Sequence, residues 1–278
     1  MPKTVFDSPR SRVRLDPLPA DPPRGMTREK AERRFAVLGE ALFQLQDAMY
    51  GAKVHAVLVV LQGRDGAGKD GTIKHVVGCL NPRGVIVTSF GVPTEEERQH
   101  DFLWRVHRHA PRLGEFSIFN RSHYEDVLPV RVHRLVPKKL WQARYEHIRD
   151  FEQLLAEHGT IVLKYFLHIT KAEQKRRLLE REGDPQAAWK LNAGDWKERE
   201  HWGAYTRAYE DAISKTAAKH APWIVVPANR KWYRNLVVAE SIYEALREHR
   251  KGWRARLEQM SRERRAALEA WRARRPKR

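Results

Sequence analysis

Residues 56–71 read Ala56-Val57-Leu58-Val59-Val60-Leu61-Gln62-Gly63-Arg64-Asp65-Gly66-Ala67-Gly68-Lys69-Asp70-Gly71. A short apolar run has the length of a buried strand, and Asp70–Leu80 can continue as a helix. Between them lies a glycine-rich turn with the spacing Gly63-x4-Gly68-Lys69. Such a turn directs backbone N–H groups at an anion where the helix begins. Glycines suit it because the chain must take conformations closed to other residues and come close to the ligand. Lys69 adds a point charge, and the stretch reads as a cradle for phosphate. The Ser or Thr that usually follows the lysine and ligates Mg²⁺ is replaced by Asp70. Another carboxylate must then hold the metal, and Asp65 inside the loop is the candidate.

Working outward, strands and helices alternate. Candidate strands are Ala56–Leu61, Val85–Phe90, Phe116–Phe119, Ile161–Ile169 and Trp223–Val226. None alternates cleanly between apolar and polar, which suits strands buried on both faces of a parallel sheet. Helices are expected near 70–80, 95–109, 138–158, 171–182, 195–219 and 232–249. An earlier one, capped by Thr27, should run to about Tyr50 with Phe35, Leu38, Leu42, Leu45 and Met49 on one face. The pattern predicts a doubly wound α/β fold with five parallel strands, which binds ligands beyond the carboxyl ends of the strands.

Three segments are expected. Residues 1–25 carry Pro2, Pro9, Pro17, Pro19, Pro22 and Pro23, too many for a helix or a central strand. They read as an extended arm that packs on the surface or makes oligomer contacts, with substrate binding through Arg10, Arg12 and Arg14 a lesser option. Residues 26–249 form the catalytic unit. Residues 250–278 hold twelve Lys/Arg against three Glu, half of the chain's +18 formal charge. Trp253, Leu257, Met260, Leu268 and Trp271 fall near one face of a basic amphipathic helix there.

A net charge of +18 with a pI near 10.2 implies a polyanionic partner. Cys79, the one cysteine among 278 residues, excludes an internal disulfide framework and fits a reducing compartment; it reads as a small apolar residue on the helix after the loop. No apolar run is long enough to span a bilayer, and the N-terminus lacks a signal-peptide core. The expectation is a cytoplasmic protein with no membrane and no specific nucleic-acid partner.

Further polar groups follow buried strands. Phe116–Phe119 leads into Asn120-Arg121-Ser122-His123-Tyr124-Glu125-Asp126, at the binding edge of the sheet. Phosphate-loop enzymes usually deliver an acidic metal ligand from this strand; here Asn120 occupies that place, with Glu125 and Asp126 a few residues on. Arg121 could reach a transferring phosphoryl group. Downstream, Arg177 and Arg181 share a helical face, Gly183 and Pro185 interrupt the helix, and Lys190 follows. The stretch from about 171 to 200 reads either as a lid closing arginine forks over phosphates or as a salt-bridged surface helix. The histidines show no metal-ligand spacing.

Together these segments resemble the second family of polyphosphate kinases. The resemblance covers roughly Phe35–Arg247: Gln62–Gly71, Asn81-Pro82-Arg83-Gly84, Pro93-Thr94, Phe102-Leu103-Trp104-Arg105, Ile118–Leu128, Phe151-Glu152, Lys164–Thr170, Gln174–Lys190 and Pro222–Asn235. It implies a three-layer α/β/α sandwich of the phosphate-loop kinase type with a helical lid. It also implies dependence on Mg²⁺, with Mn²⁺ as a substitute, and transfer between inorganic polyphosphate and nucleotides. Gly63, Asp65, Gly68 and Lys69 match the family's phosphate loop, whose run here includes Arg64, Gly66, Ala67, Asp70 and Gly71. Arg121 matches the arginine of its second phosphate motif; Arg177 and Arg181 match its lid arginines. Asn120 stands where many members have Asp, and Pro129 where an aliphatic residue is usual. The Asn-Arg-Ser-His-Tyr-Glu-Asp version looks like the subgroup called class III, whose members phosphorylate nucleoside monophosphates as well as diphosphates.

On this reading Asp65, Lys69, Asn120, Arg121, Arg177 and Arg181 carry the chemistry, with Asp65 on the metal. The loop from Gly63 to Gly71, Glu125, Asp126 and Lys190 bind substrate. Partners are inorganic polyphosphate, adenine or guanine nucleotides, and further copies of the chain in a dimer or tetramer. The competing readings are an ATP-dependent nucleoside monophosphate kinase or phosphate-loop ATPase, and a nucleic-acid-binding protein acting through its tail.

Overall fold

A computed structural model describes residues 3–9 and 12–274. Arg10, and the tail beyond Arg274, lie outside the described residues. The elements in chain order are β1 (Thr4–Phe6), α1 (Arg28–Ala52), β2 (Ala56–Gln62), α2 (Lys69–Val76), β3 (Val85–Ser89), α3 (Glu95–Arg98), α4 (Trp104–His107) and β4 (Phe116–Asn120). They continue with α5 (Pro129–Val132), α6 (Lys138–Glu157), β5 (Thr160–His168), α7 (Lys171–Glu182), α8 (Ala193–Glu200), α9 (Trp202–Thr216), β6 (Trp223–Pro227), α10 (Lys231–Arg247) and α11 (Arg250–Ala273).

The sheet order is β1-β6-β5-β2-β4-β3, and β2 to β6 are all parallel. The central strand is β2, and each of its residues is buried. That burial on both faces explains the missing alternation in its sequence. Val57, Val59 and Leu61 pack with α1, α2 and α10 in one apolar layer, while Leu58 and Val60 pack with α6 and α9 in the other. The result is the expected α/β/α sandwich. In register, Leu61 lies beside Asn120, and Asn120 beside Ser89. The carboxyl ends of three neighbouring strands therefore meet on one edge.

Expectation and structure differ at four places. The sheet has six strands, not five: Thr4–Phe6 pairs antiparallel with β6 at the edge. The rest of the arm is anchored too. Val13 N donates to Ser214 Oγ at 2.8 Å, Leu15 N to Glu210 Oε1 at 2.9 Å, and both side chains are buried. Arg12 and Arg14 lie beside the start of α9. Second, the expected helix 95–109 is two single turns. Asp101 Oδ1 accepts from the N–H groups of Leu103 and Trp104, and this local turn starts a new helix instead of continuing the old one. Third, α2 is shorter than expected: it tightens into a 3₁₀ turn over Val77–Cys79 before Asn81-Pro82, whose proline disfavours helix at the residue preceding it. Cys79 thus lies on that turn, not on the helix. Fourth, the long helix near 195–219 is interrupted at His201, which ends α8 and begins α9.

Thr27 caps α1 as expected, accepting from Lys30 N at 3.3 Å. Helix α11 docks through its first turns. Trp253 is fully buried and donates from Nε1 to His55 Nδ1 at 3.0 Å, while Leu257 packs near Gly51 of α1. Beyond these, Leu268 and Trp271 are exposed.

Candidate active site

The glycine-rich loop leaves β2 at Gln62 and enters α2 at Lys69, as the sequence requires. Gly68 caps the helix with φ of 99°, in the left-handed region, and a Cβ there would fall 1.9 Å from Arg234 Nη1. Only glycine meets both conditions. Lys69 curls back, its Nζ donating to Gly63 O at 2.7 Å. Enclosure lowers the ammonium's pKa, and the Asp65 carboxylate opposes that shift. Arg64 points away from the cradle. Its guanidinium lies 3.7 Å from the centre of the Trp202 ring and donates to Thr206 Oγ1, and burial pulls its pKa down to about 10.

The end of β4 supplies the opposing wall. Arg121 Nη2 donates to Asp65 Oδ1 at 3.1 Å. Its backbone N–H donates to Leu61 O at 3.1 Å, holding the residue at φ of 62°. Asn120 Nδ2 donates to Asp70 Oδ1 at 3.0 Å, and Lys190 Nζ donates to Asp70 Oδ2 at 3.1 Å. Burial works against ionisation of Asp70, but these two donors prevail and its pKa sits below the usual value. Glu125 accepts from Gln62 Nε2 at 3.2 Å, and burial raises its pKa against the pull of Arg121 and Lys69. Asp126 is committed elsewhere: Arg105 and Arg144 hold its two carboxylate oxygens at 3.2 and 3.3 Å.

The two arginines expected on a lid behave differently. Arg177 is 6% exposed and donates to four backbone carbonyls. Nη1 reaches Gly66 O at 2.9 Å and Ala67 O at 3.1 Å; Nη2 reaches Ala228 O at 2.6 Å and Asn229 O at 3.0 Å. It sits under the loop as a clamp. Arg181 binds within the segment that follows, to Asp195 Oδ2 at 2.7 Å and Lys190 O at 3.2 Å. Gly183 ends α7, and a 3₁₀ turn over Pro185–Lys190 carries the chain back over Asp70.

Two clefts meet at Asp65 and Arg121. The first, of about 470 Å³, is lined by Arg64, Pro93, Leu128, Trp202, Tyr205 and Tyr209, with Glu125 and Asp126. The second, of about 960 Å³, is lined by Gly66–Gly71 residues, Arg177, Arg181, Lys190, Lys231 and Arg234. Gly91, Asn192 and Asp195 also belong to both.

Sequence reasoning missed several of these residues. Lys231 and Arg234 begin α10, just after β6 ends at Pro227. The rule that singled out Asn120–Asp126, polar groups directly after a buried strand, would have found them. The aromatic wall from α9 and the Gln174 Nε2 bond to Asp65 O at 2.9 Å had no comparable signal.

A glycine-rich loop that leaves the central strand of a mostly parallel sheet and enters a helix at a lysine is the arrangement of the phosphate-loop kinases. Comparison with known proteins narrows this class. The model of the polyphosphate kinase 2 family matches residues 25–253, and the chain belongs to that family. It is 53% identical over 219 residues to the AMP/ADP-polyphosphate phosphotransferase of Meiothermus ruber, spanning 79% of this chain and 82% of that one. It is 44% identical to the ADP-polyphosphate phosphotransferase of Rhodopseudomonas palustris, over 74% of this chain and 76% of that protein. The crystal structure of polyphosphate kinase 2 from Arthrobacter aurescens TC1 superposes with a TM-score of 0.82 at 40% identity, covering 85% of this chain and 86% of the other.

Proposed function

We propose that the protein transfers phosphoryl groups from inorganic polyphosphate to nucleoside mono- and diphosphates, taking AMP to ADP and ADP to ATP. The observation that carries this is the pair of unlike clefts joined at Asp65 and Arg121. The first, with an aromatic and apolar wall, suits a nucleoside; the second, lined by seven Lys and Arg against five Asp and Glu and carrying the glycine-rich loop, suits a phosphate chain. The names of the relatives support the same substrates, and the AMP/ADP relative supports the class III reading.

The residues also fit Mg²⁺. The donors on offer are oxygens: the Asp65 carboxylate and Asn120 Oδ1, which is buried with no hydrogen-bond partner among the described residues. Among those residues there is no group of three or more side chains of the usual ligand types. A divalent ion held by Asp65 and Asn120 would therefore complete its shell with phosphate oxygens and water. Bound there, it would screen the charge shared by donor and acceptor.

The protein's own groups do the positioning. Donor and acceptor are polyanions, so repulsion and misalignment dominate the barrier. The loop N–H groups and Lys69 hold the phosphate to be moved, while Arg121 lies between the two clefts to meet charge on the moving group. The acceptor's phosphate oxygen is already ionised, so no general base is needed.

The test is incubation with AMP or ADP, Mg²⁺ and polyphosphate, without ATP. Formation of ADP and ATP is expected. Turnover only when ATP is the donor would make the protein an ordinary nucleotide kinase. Lys69→Ala should lower turnover at least ~1000-fold with the fold intact, since it removes a preorganised charge at the reacting group.

A further inference from the structure

Two arginines tie the glycine-rich loop to the body, and both rest on groups that also hold the N-terminal arm. Arg177 donates from Nη1 to Gly66 O and Ala67 O, and from Nη2 to Asn229 O at 3.0 Å. Asn229 lies just beyond β6 and is fixed by the arm. Its backbone N–H donates to Ala20 O at 2.9 Å and its Nδ2 to Asp21 Oδ2 at 2.8 Å. Its Oδ1 accepts from Thr170 N at 3.1 Å, and Thr170 caps α7, the helix that carries Arg177. One side chain thus joins the arm to the start of α7, while the carbonyl of the same residue braces the clamp under the loop.

The second arginine, Arg64 of the loop itself, donates to Trp202 O at 3.2 Å and to Thr206 Oγ1 on α9. Further along α9, Glu210 Oε1 and Ser214 Oγ accept from the arm's Leu15 and Val13 N–H groups. Between the two supports, the His168 ring at the end of β5 meets the Leu18 backbone. Burial and the Arg64 charge lower the pKa of that ring, while the Leu18 bond and Asp16 of the arm oppose them. The arm therefore runs past the loop's supports, from α9 to Asn229.

Burial of Val13 and Leu15 accounts for the adhesion of the arm. It does not account for Asp21, an exposed residue whose carboxylate is committed to Asn229, with Arg230 Nε 3.7 Å from its other oxygen. Exposed polar contacts of this kind add little to stability. What this one does is place the Asn229 backbone. The consequence reaches the loop through a planar peptide: holding Ala67 O also fixes the Gly68 N–H, which points the opposite way in the same plane.

We propose that Asn229 is a positioning residue for phosphoryl transfer. Tied to Ala20 and Asp21 of the arm, it sets Arg177, and Arg177 sets the loop carbonyls, so that the loop N–H groups are aimed before a phosphate arrives. The inference rests on the phosphoryl-transfer reading above and adds a part of the chain that precedes the residues matched by the family model. Donors fixed in advance need no reorganisation during the reaction.

The test exchanges donor and acceptor between Asp21 and Asn229. Asn229→Asp sets two carboxylates against each other and keeps the acceptor for Thr170 N. Adding Asp21→Asn restores the bond with its polarity reversed. Wild type, both single variants and the double variant are compared by steady-state kinetics with AMP and polyphosphate, by thermal unfolding, and by hydrogen exchange across Gly63–Lys69. Asn229→Asp should lower kcat about tenfold or more, with KM changed less than about threefold, and should quicken exchange in the loop. Asp21→Asn keeps an acceptor and should stay near wild type. The double variant should recover most of the lost kcat and the loop protection. If Asn229→Asp does not fold, Asp21→Lys, which removes the acceptor from an exposed position, takes its place with the same expected losses. Unchanged kcat or unchanged loop exchange in Asn229→Asp, whatever its stability, overturns the proposal, and so does a loss that the double variant fails to recover. A wild type inactive with polyphosphate overturns the substrate reading instead, and loop exchange then decides the role of Asn229.

Discussion

Lys164 and Arg234 are both buried cations, and their surroundings differ in one respect. Lys164, fully buried on β5, has a matched environment: Glu152 Oε2 at 2.5 Å, Thr216 O at 2.7 Å and Tyr124 Oη at 3.1 Å. Glu152 also accepts from Tyr124 Oη at 2.8 Å and meets His123 Nε2 at 3.1 Å. Burial pushes the Glu152 carboxyl up, but Lys164 and His123 outweigh it, and the group titrates below the ordinary glutamate range. Arg234 has amide and carbonyl oxygens and no acid among the described residues. In the first cluster the Lys164 charge is matched within the chain by Glu152, which also holds His123 and Tyr124 of the 3₁₀ turn His123–Asp126. The second lacks such a match, and on the proposed function the bound phosphate chain supplies it. A buried charge that is fully answered by its neighbours organises the fold; one left unanswered at a cleft is available to a ligand.

The hardest test of that contrast is Glu152→Gln. It strands Lys164 without a counter-charge and should cost about 3–5 kcal/mol in denaturant unfolding. A loss below about 1 kcal/mol would mean that the pair is no more essential than a surface bridge. The pH dependence has a definite sign. A depressed carboxyl stabilises above its unfolded value and loses that stabilisation as pH falls through its folded value. The gap between wild type and Glu152→Gln should be full above the ordinary 4.5 and close as the pH drops below it.

A smaller effect is expected at Glu173, the carboxylate of Arg177. Glu173→Gln should lower unliganded stability by about 1–2 kcal/mol, as expected for a charge-assisted bond. It should also enlarge the stabilisation gained from tripolyphosphate, because the cations beneath the loop lose their one acid. An unchanged ligand gain would show that the loop cations are insulated from that carboxylate.

The sheet and the loop were legible because burial on both faces and glycine spacing leave direct marks on composition. Arg177 was read as a lid arginine and not as a clamp. Its number and its four-residue spacing from Arg181 gave a shared helical face, and only the folded chain shows that face turned under Gly66 and Ala67. The edge strand at Thr4–Phe6 had no pattern of its own, since three residues gain their pairing from β6 alone. Arg234 lacked the glycines or acids that drew notice elsewhere, although its place after a strand end was informative.

Arg121 gives the molecule an evolutionary constraint. Its φ of 62° is a conformation that costs an ordinary residue about 1–2 kcal/mol and glycine nothing. Selection for folding alone would favour glycine there; on the proposed function, selection for the guanidinium at the meeting of the clefts keeps the arginine. The residue is therefore an early casualty whenever activity ceases to matter, and inactive descendants of this fold should be recognisable by a glycine at that place.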